Sequence, residues 1–248
     1  MGTVVGITVR APAGRAEAVA AAIDDAYAAI EAGEAEISEW RPDSMVSRMM
    51  RGETVQLSPA AAGMLRHAEV LRAATNGRYD VFWRGGEASE GPHGWTGRGT
   101  IDLGSLAKGF LVDLAVASLR AAGLRNFAVD AAGDLYLAGR QHPGGWGWSV
   151  DIADAGLAPR VSDAAVSTAS QDQQPGHLRD ARTGEAVGCV RVTTVFARTA
   201  LVADAMDTAM FVTCGEIAPS ALAGTAVFWV TAAGRRHEII GDGAPEFR

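Results

Sequence analysis

The sequence predicts an α+β layered domain, and two observations predict it. Strand-like runs and helix-like runs both recur along the 248 residues. They do not alternate strictly, as a doubly wound parallel sheet would require. The composition supports a sizeable core, with 48% hydrophobic and 21% charged residues, both ordinary for a globular chain. The length suits one large domain or two small ones. There is no internal repeat and no interdomain linker, so 1–248 reads as a single domain.

In order, "TVVGITV" (3–9) reads as a strand, rich in Val, Ile and Thr. "RAEAVAAAIDDAYAAIEAGEAE" (15–36) and "SPAAAGMLRHAEVLRAAT" (58–75) read as helices. The Gly-rich "RGGEASEGPHGWTGRGT" (84–100) reads as a long loop. In "IDLGSLAKGFLVDLA" (101–115) the pair Gly104-Ser105 starts a helix. Leu106, Phe110 and Leu114 share one face, and Gly123 stops it. "NFAVDA" (126–131) and "DLYLAG" (134–139) are strands, and "QHPGGWG" (141–147) is a hairpin or loop tip. "WSVDIA" (148–153) and "VRVTTVF" (190–196) precede a helix, "ALVADAMDTAMFVTC" (200–214). Strands "AVFWVT" (226–231) and "HEII" (237–240) close the chain.

The net charge of −7 comes with no basic stripe, which argues against nucleic-acid binding. No apolar run approaches the roughly 18 residues of a membrane span. The start, "MGTVVGITVRAPAGR", lacks a basic region followed by a long apolar one. No signal peptide is visible, and as written the chain reads as cytoplasmic. Cys189 and Cys214 match no metal or redox spacing and read as reduced and buried, without a disulfide.

Four stretches carry chemistry. Lys108 falls in the first turn of its helix, where the dipole is positive and a cation is mildly unfavourable. Small residues Gly104, Ser105, Ala107 and Gly109 surround it, and a helix start offers N–H groups to a phosphate. The alternative is a tightly packed helix with a snorkelling lysine. In "LVADAMDTAMF" Asp204 and Thr208 lie four apart on one face, with Asp207 near the same edge. A carboxylate among apolar neighbours needs a partner, and hard oxygens suit Mg²⁺. Otherwise Asp204 serves the N-terminal dipole of its own helix. In "GHLRDARTGEAV" (176–187) His177 has Asp180 three residues on, and "DARTG" reads as a turn. Catalysis competes here with a plain turn and a surface or core histidine. In "ISEWRPDSMVSRMM" (37–50) Trp40 either stacks on a flat ring or plugs the core.

Together, and in order, these stretches resemble the ApbE family, the FAD:protein FMN transferases. "MGTVVGITV" resembles the family's opening Met-Gly-Thr strand. "EISEWRPDSMVSRMM" resembles "ST-x-RPDSE-x-SRLN", and "TNGRYDVF" resembles "T-G-A-F-D-P". "IDLGSLAKGFLVDLA" is similar to "DLGGIAKGYAVD", and "NFAVDAAGDLYLAG" resembles "ALVNLGGDI-x-x-x-G". "AVSTAS" stands where "AVATSG" is expected. "GHLRDARTGEAV" resembles "HIIDPRTGRPV", and "VTTVFARTALVADAMDTAMFV" resembles "VTVVA-x-TA-x-ADALATALFV".

The resemblance implies one ApbE-like domain with a mixed, largely antiparallel sheet and flanking helices. It implies an enzyme that uses Mg²⁺ and takes FAD as substrate. FMN passes to a Ser or Thr hydroxyl of an acceptor flavoprotein, and AMP leaves. It places Lys108 and the adjacent helix start at the FAD diphosphate and Trp40 near the flavin or adenine ring, with Ser105, Asp130 and Thr168 also among the cofactor-binding residues. Metal ligands are Asp204, Thr208 and the Ala107 carbonyl, and His177 with Asp180 forms the catalytic segment. Family members are often exported. The sequence departs from the pattern at Met45 for Glu, Met50 for Asn, Asp130 for Asn, Ala131 and Ala132 for two Gly, and Ala181 for Pro. Two alternatives follow from these departures: a metal-dependent FAD pyrophosphatase, motivated by Met50, and a non-catalytic FAD-binding protein.

Overall fold

The computed structural model describes residues 3–12, 14–152, 156–171 and 176–248. Met1 and Gly2, which open the first motif, and Ala153, which ends the "WSVDIA" run, lie outside them. The elements are β1 (Val5–Val9), α1 (Ala16–Ile37), α2 (Met45–Met50) and α3 (Pro59–Ala74). Then come β2 (Glu87–Gly91), β3 (Gly94–Arg98), α4 (Ala107–Ala121), β4 (Phe127–Ala131) and β5 (Asp134–Ala138). The short β6 (Trp148–Ser149) and β7 (Arg160–Val161) precede β8 (Ala164–Ser170), β9 (Val190–Ala197) and α5 (Ala200–Val212). A 3-10 turn (Pro219–Leu222), β10 (Thr225–Thr231) and β11 (Arg236–Ile240) complete the chain.

Seven strands form one sheet in the order β1-β4-β5-β8-β9-β10-β11. Every pairing in it is antiparallel. Side chains alternate between its faces. Val129, Ala131, Tyr136, Ala165, Val195 and Ala197 face a large core shared with α1, α3, α4 and α5. Leu137, Val166, Phe196 and Phe228 face the other way, onto a smaller core with Trp148, Val161 and Phe247. This alternation decides which polar side chains meet the helices. Asp134, Ser167 and Thr193 fall on the helix face, whereas Thr168 and Thr194 fall on the opposite one.

Two expectations change, and one strand appears that none of the strand-like runs covered. The Gly-rich stretch 84–100 is not a loop: β2 and β3 form a hairpin, register Glu90↔Trp95. Trp95 is buried and exchanges backbone hydrogen bonds with Val55 at 2.8 and 2.9 Å. Glycine hides the strand signal here because the hairpin base is crowded; a Cβ on Gly86 would lie 2.0 Å from the Thr100 carbonyl oxygen. "AVSTAS" is a central strand, β8, whose small residues carry little β-propensity. Cys189 and Cys214 form a disulfide with Cα atoms 5.7 Å apart, overturning the expectation of reduced thiols. The return of α5 across β9 brings together residues that no spacing rule pairs.

The helix anticipated at Gly104 begins at Ala107, with no side-chain cap, and Gly123 (φ +76°) follows its end. Its first turn lies directly against that of α5. A Cβ on Gly109 would sit 2.3 Å from the Ala200 carbonyl oxygen. By contrast Gly63, inside α3, has nothing within 4 Å of such a Cβ. We expect Gly109→Ala to destabilise the protein by about 1–3 kcal/mol through overpacking. Gly63→Ala should stabilise it by about 0.5–1 kcal/mol through helix propensity. Chemical denaturation of both variants checks this; equal effects at the two sites would contradict the close packing.

Candidate active site at two helix N-termini

The first turns of α4 and α5 are capped by each other's carboxylates. Asp113 of α4 accepts the N–H groups of Ala200 (2.8 Å) and Leu201 (3.0 Å) at the start of α5. Asp204 of α5 accepts the N–H of Gly109 at 2.8 Å, and that of Lys108, at the start of α4. Asp204 therefore serves a helix dipole, but that of α4 rather than its own.

Lys108 faces these carboxylates. Its ammonium bonds Asp134 and lies 3.6 Å from Asp204. Asp134 is brought here by the β4–β5 turn, Asp204 and Asp207 by α5. One carboxylate oxygen from each lies within 4.8 Å of the others. All three residues are 2% exposed. Ser167, 1% exposed, contacts both Asp134 and Asp207 through its hydroxyl. A hydroxyl has one proton to donate, so one of these two carboxyl groups must carry a proton of its own. Burial, and then the Asp204 charge, pushes Asp207 up to about 8, whereas Asp134 is paired with the Lys108 ammonium, so Asp207 is that group. Burial also raises Asp204, while Lys108 and the α4 N–H groups pull it back. Burial pushes Asp113 up to about 6, against the pull of its two backbone bonds.

Tyr79 is tied to the turn that precedes α4. It is buried, accepts a hydrogen bond from Ser105 at 3.0 Å, and its hydroxyl is held neutral by burial, with Asp204 and Asp207 adding to the effect. Its neighbour Arg78 donates to the Thr213 carbonyl at 3.2 Å and lies 3.7 Å from Asp180. Asp180 holds the turn that "DARTG" predicts: its carbonyl accepts from Gly184 N–H at 2.8 Å, and its side chain pairs with Arg182. Arg182 holds the Asp180 carboxyl below its ordinary range. His177 is exposed on this segment, anchored beside it by buried Leu178. The disulfide fixes the far end of the same segment to the end of α5.

The sequence-derived residues thus divide. Lys108, Asp204 and Ser105 converge, with Ala107 opening α4 beside them and Thr208 donating to Asp207 at 3.2 Å. Thr168 pairs with Thr194 at 3.1 Å on the face away from the helices, and its neighbour Ser167 enters the cluster instead. Asp130 accepts from the Gly133 N–H at 2.9 Å and shapes the turn that delivers Asp134. Within that turn Ala132 (φ +55°) and Gly133 (φ +100°) take the left-handed conformations, whereas Ala131 is ordinary strand. Trp40 is 86% exposed, so it plugs no core. Next to it, burial raises the Glu39 carboxyl, with the Asp102 charge adding to the effect and Arg84 opposing it. Met45 accepts a weak hydrogen bond from Arg48, and Met50 is buried next to the β2–β3 hairpin.

Asp134, Ser167, Tyr79 and Asp113 were not among the candidates. Asp113 stands within the lysine motif "IDLGSLAKGFLVDLA" and Asp134 within "NFAVDAAGDLYLAG", so membership of a motif was their signal. Period-two alternation from Ala165 would have pointed to Ser167 rather than Thr168.

A family model described as the ApbE family matches residues 1–85 and 95–227. The chain belongs to the ApbE family. Its fold is similar to that of the flavin transferase ApbE from Vibrio cholerae: TM-score 0.78 at 19% identity, over 98% of this chain and 95% of that one. The flavinyl transferase ApbE of Pseudomonas stutzeri gives 0.77 at 19% identity, over 95% of each chain. The ApbE protein of Thermotoga maritima gives 0.76 at 18% identity, over 95% of this chain and 93% of that one. No curated protein sequence matches. The residues outside the ApbE match include 86–94, most of the β2–β3 hairpin. Among the described residues no helix is long and apolar enough to cross a membrane.

The raised carboxyl of Asp207 yields a pH dependence. A folded acid with a raised pKa keeps a proton that the unfolded chain has released. Its contribution to stability is full below about pH 3.9 and is lost as pH rises through about 8. Asp207→Asn removes this titration. Without divalent ions, the parent's melting temperature should therefore fall more between pH 5 and pH 9 than the variant's. Parallel profiles would contradict the assignment.

Proposed function

We propose that residues 1–248 act as one flavin transferase domain that moves FMN from FAD to a Ser or Thr hydroxyl of an acceptor flavoprotein, releasing AMP. The observation that carries this reading is the cluster at the α4 start: three buried carboxyl groups facing one lysine, in a chain of the ApbE family. The excess of acid over base fits a divalent cation, and its oxygen donors are the hard ligands Mg²⁺ favours. Asp204, Thr208 and the Ala107 carbonyl would hold it, with Asp134 and Asp207 close by. A bound Mg²⁺ supplies charge neutralisation for the FAD diphosphate and for the departing phosphate.

The protein's own groups do the rest. Lys108 is 31% exposed at its side chain and can turn from Asp134 to a diphosphate oxygen. Ser105 and the turn before α4 line the approach. Trp40 offers an exposed ring for the flavin or the adenine to stack on. The acceptor hydroxyl oxygen bonds to the FMN phosphorus as the bond from that phosphorus to the bridging oxygen breaks. AMP departs with the bridging oxygen, and the hydroxyl proton passes to exposed His177 or to water. The departure that motivates hydrolysis, Met50, lies in the core against the hairpin.

Incubation with FAD, Mg²⁺ and a candidate acceptor, followed by mass spectrometry, tests the proposal. FMN on the acceptor with AMP in solution is expected. Free FMN and AMP would instead indicate a pyrophosphatase, and unchanged FAD a binding protein. His177→Ala should lose roughly 10²–10⁴ in transfer rate while retaining FAD affinity. Turnover at the parent rate would remove His177 from the chemistry.

A further inference from the structure

The capping of α5 by Asp113 is more than a helix terminus satisfied. α5 already has a cap of its own, Thr199, whose hydroxyl accepts from Val202 N–H at 3.3 Å. The other two N–H groups of the first turn are held from another helix, one by each oxygen of Asp113. Gly109 and Asp113 lie one turn apart on α4, and Ala200 and Asp204 lie one turn apart on α5. Residues at that spacing share a face. The first turn of α5 is therefore gripped at two points: Asp113 holds its N–H groups, and Gly109 admits its backbone to contact distance. Asp204 returns from the next turn of α5 to the Gly109 N–H. The four residues form a closed frame, and Asp113 is its one charged support outside the acidic cluster.

We infer that Asp113 is a positioning residue for the divalent-ion site: by gripping the start of α5, it sets the depth and rotation at which Asp204 and Thr208 are presented beside Lys108. The inference rests on the metal–diphosphate reading proposed above. Two oxygens on two adjacent N–H groups define a direction as well as a distance, and Thr199 alone supplies neither. Releasing the grip leaves α5 in the fold, since Met206, Met210 and Phe211 remain buried in the core. It frees the first turn to shift, and the metal ligands shift with it.

The test is the Mg²⁺ concentration that half-saturates the Mg²⁺-dependent gain in FAD affinity, read by flavin fluorescence on the full chain. Groups that orient metal ligands typically cost 10–100-fold in metal affinity when removed. Asp113→Ala should raise the Mg²⁺ midpoint by about that factor. At saturating Mg²⁺, FAD affinity and turnover should return toward those of the parent. Asp113→Asn keeps one acceptor oxygen and should show a smaller rise, and it reads the effect if the alanine variant fails to fold. A purely structural cap would lower the melting temperature and the yield of active protein without moving the midpoint. A midpoint equal to the parent's, in a variant with a native circular dichroism spectrum, overturns the inference alone. If Mg²⁺ leaves the parent's FAD affinity unchanged, the metal reading falls and this inference with it.

Discussion

The site depends on two helix N-termini meeting without repelling. Each carries the positive end of a helix dipole, and at Gly109 their backbones touch. Two like-signed ends at that distance are tolerable only with negative charge between and around them. Asp113 and Asp204 supply it, each from the helix that the other caps. A carboxylate at a helix N-terminus contributes about 0.3–1 kcal/mol, and up to about 2 in partly buried geometry. The arrangement thus stabilises the fold as it places charge. The glycine is required because the backbones meet, and the carboxylates are required because the dipoles do.

That constraint explains a lysine in the first turn of α4. Alone at a positive helix end it would be unfavourable. With Asp204 seated on the adjacent N–H groups and Asp134 delivered from the sheet, the local field is negative. Asp207 adds a further carboxyl that burial, and then the Asp204 charge, keep protonated to about pH 8. The protein therefore maintains a buried acidic cluster neutralised in part by a side chain able to move. Such a cluster suits a substrate that brings both cations and anions, as a metal-bound diphosphate does.

Much of this was legible in the sequence, for reasons that can be stated. Helix periodicity in α1, α3 and α4 is legible because each buries one face, whereas α5 shows as an apolar run buried almost all round. Asp204 drew attention because the residues around it are too apolar to leave a charge unpaired. What escaped notice depended on tertiary placement. Asp113 looks like any helix aspartate until α5 arrives against it. Ser167 and Thr168 differ by one residue, and only the pairing of β8 with β5 and β9 settles which faces the helices. The β2–β3 hairpin was hidden by glycines that its crowded base requires, and the disulfide by the separation of its cysteines along the chain.

Lys108 and Asp204 anchor the whole account, and crystals grown with FAD and Mn²⁺ examine them most directly, through the anomalous scattering of the ion. The account predicts one anomalous peak, bonded by Asp204 and Thr208 oxygens, with the Lys108 ammonium drawn away from Asp134 to the diphosphate. A peak at any other place on the protein, or a lysine still seated between the carboxylates with FAD bound, would contradict it.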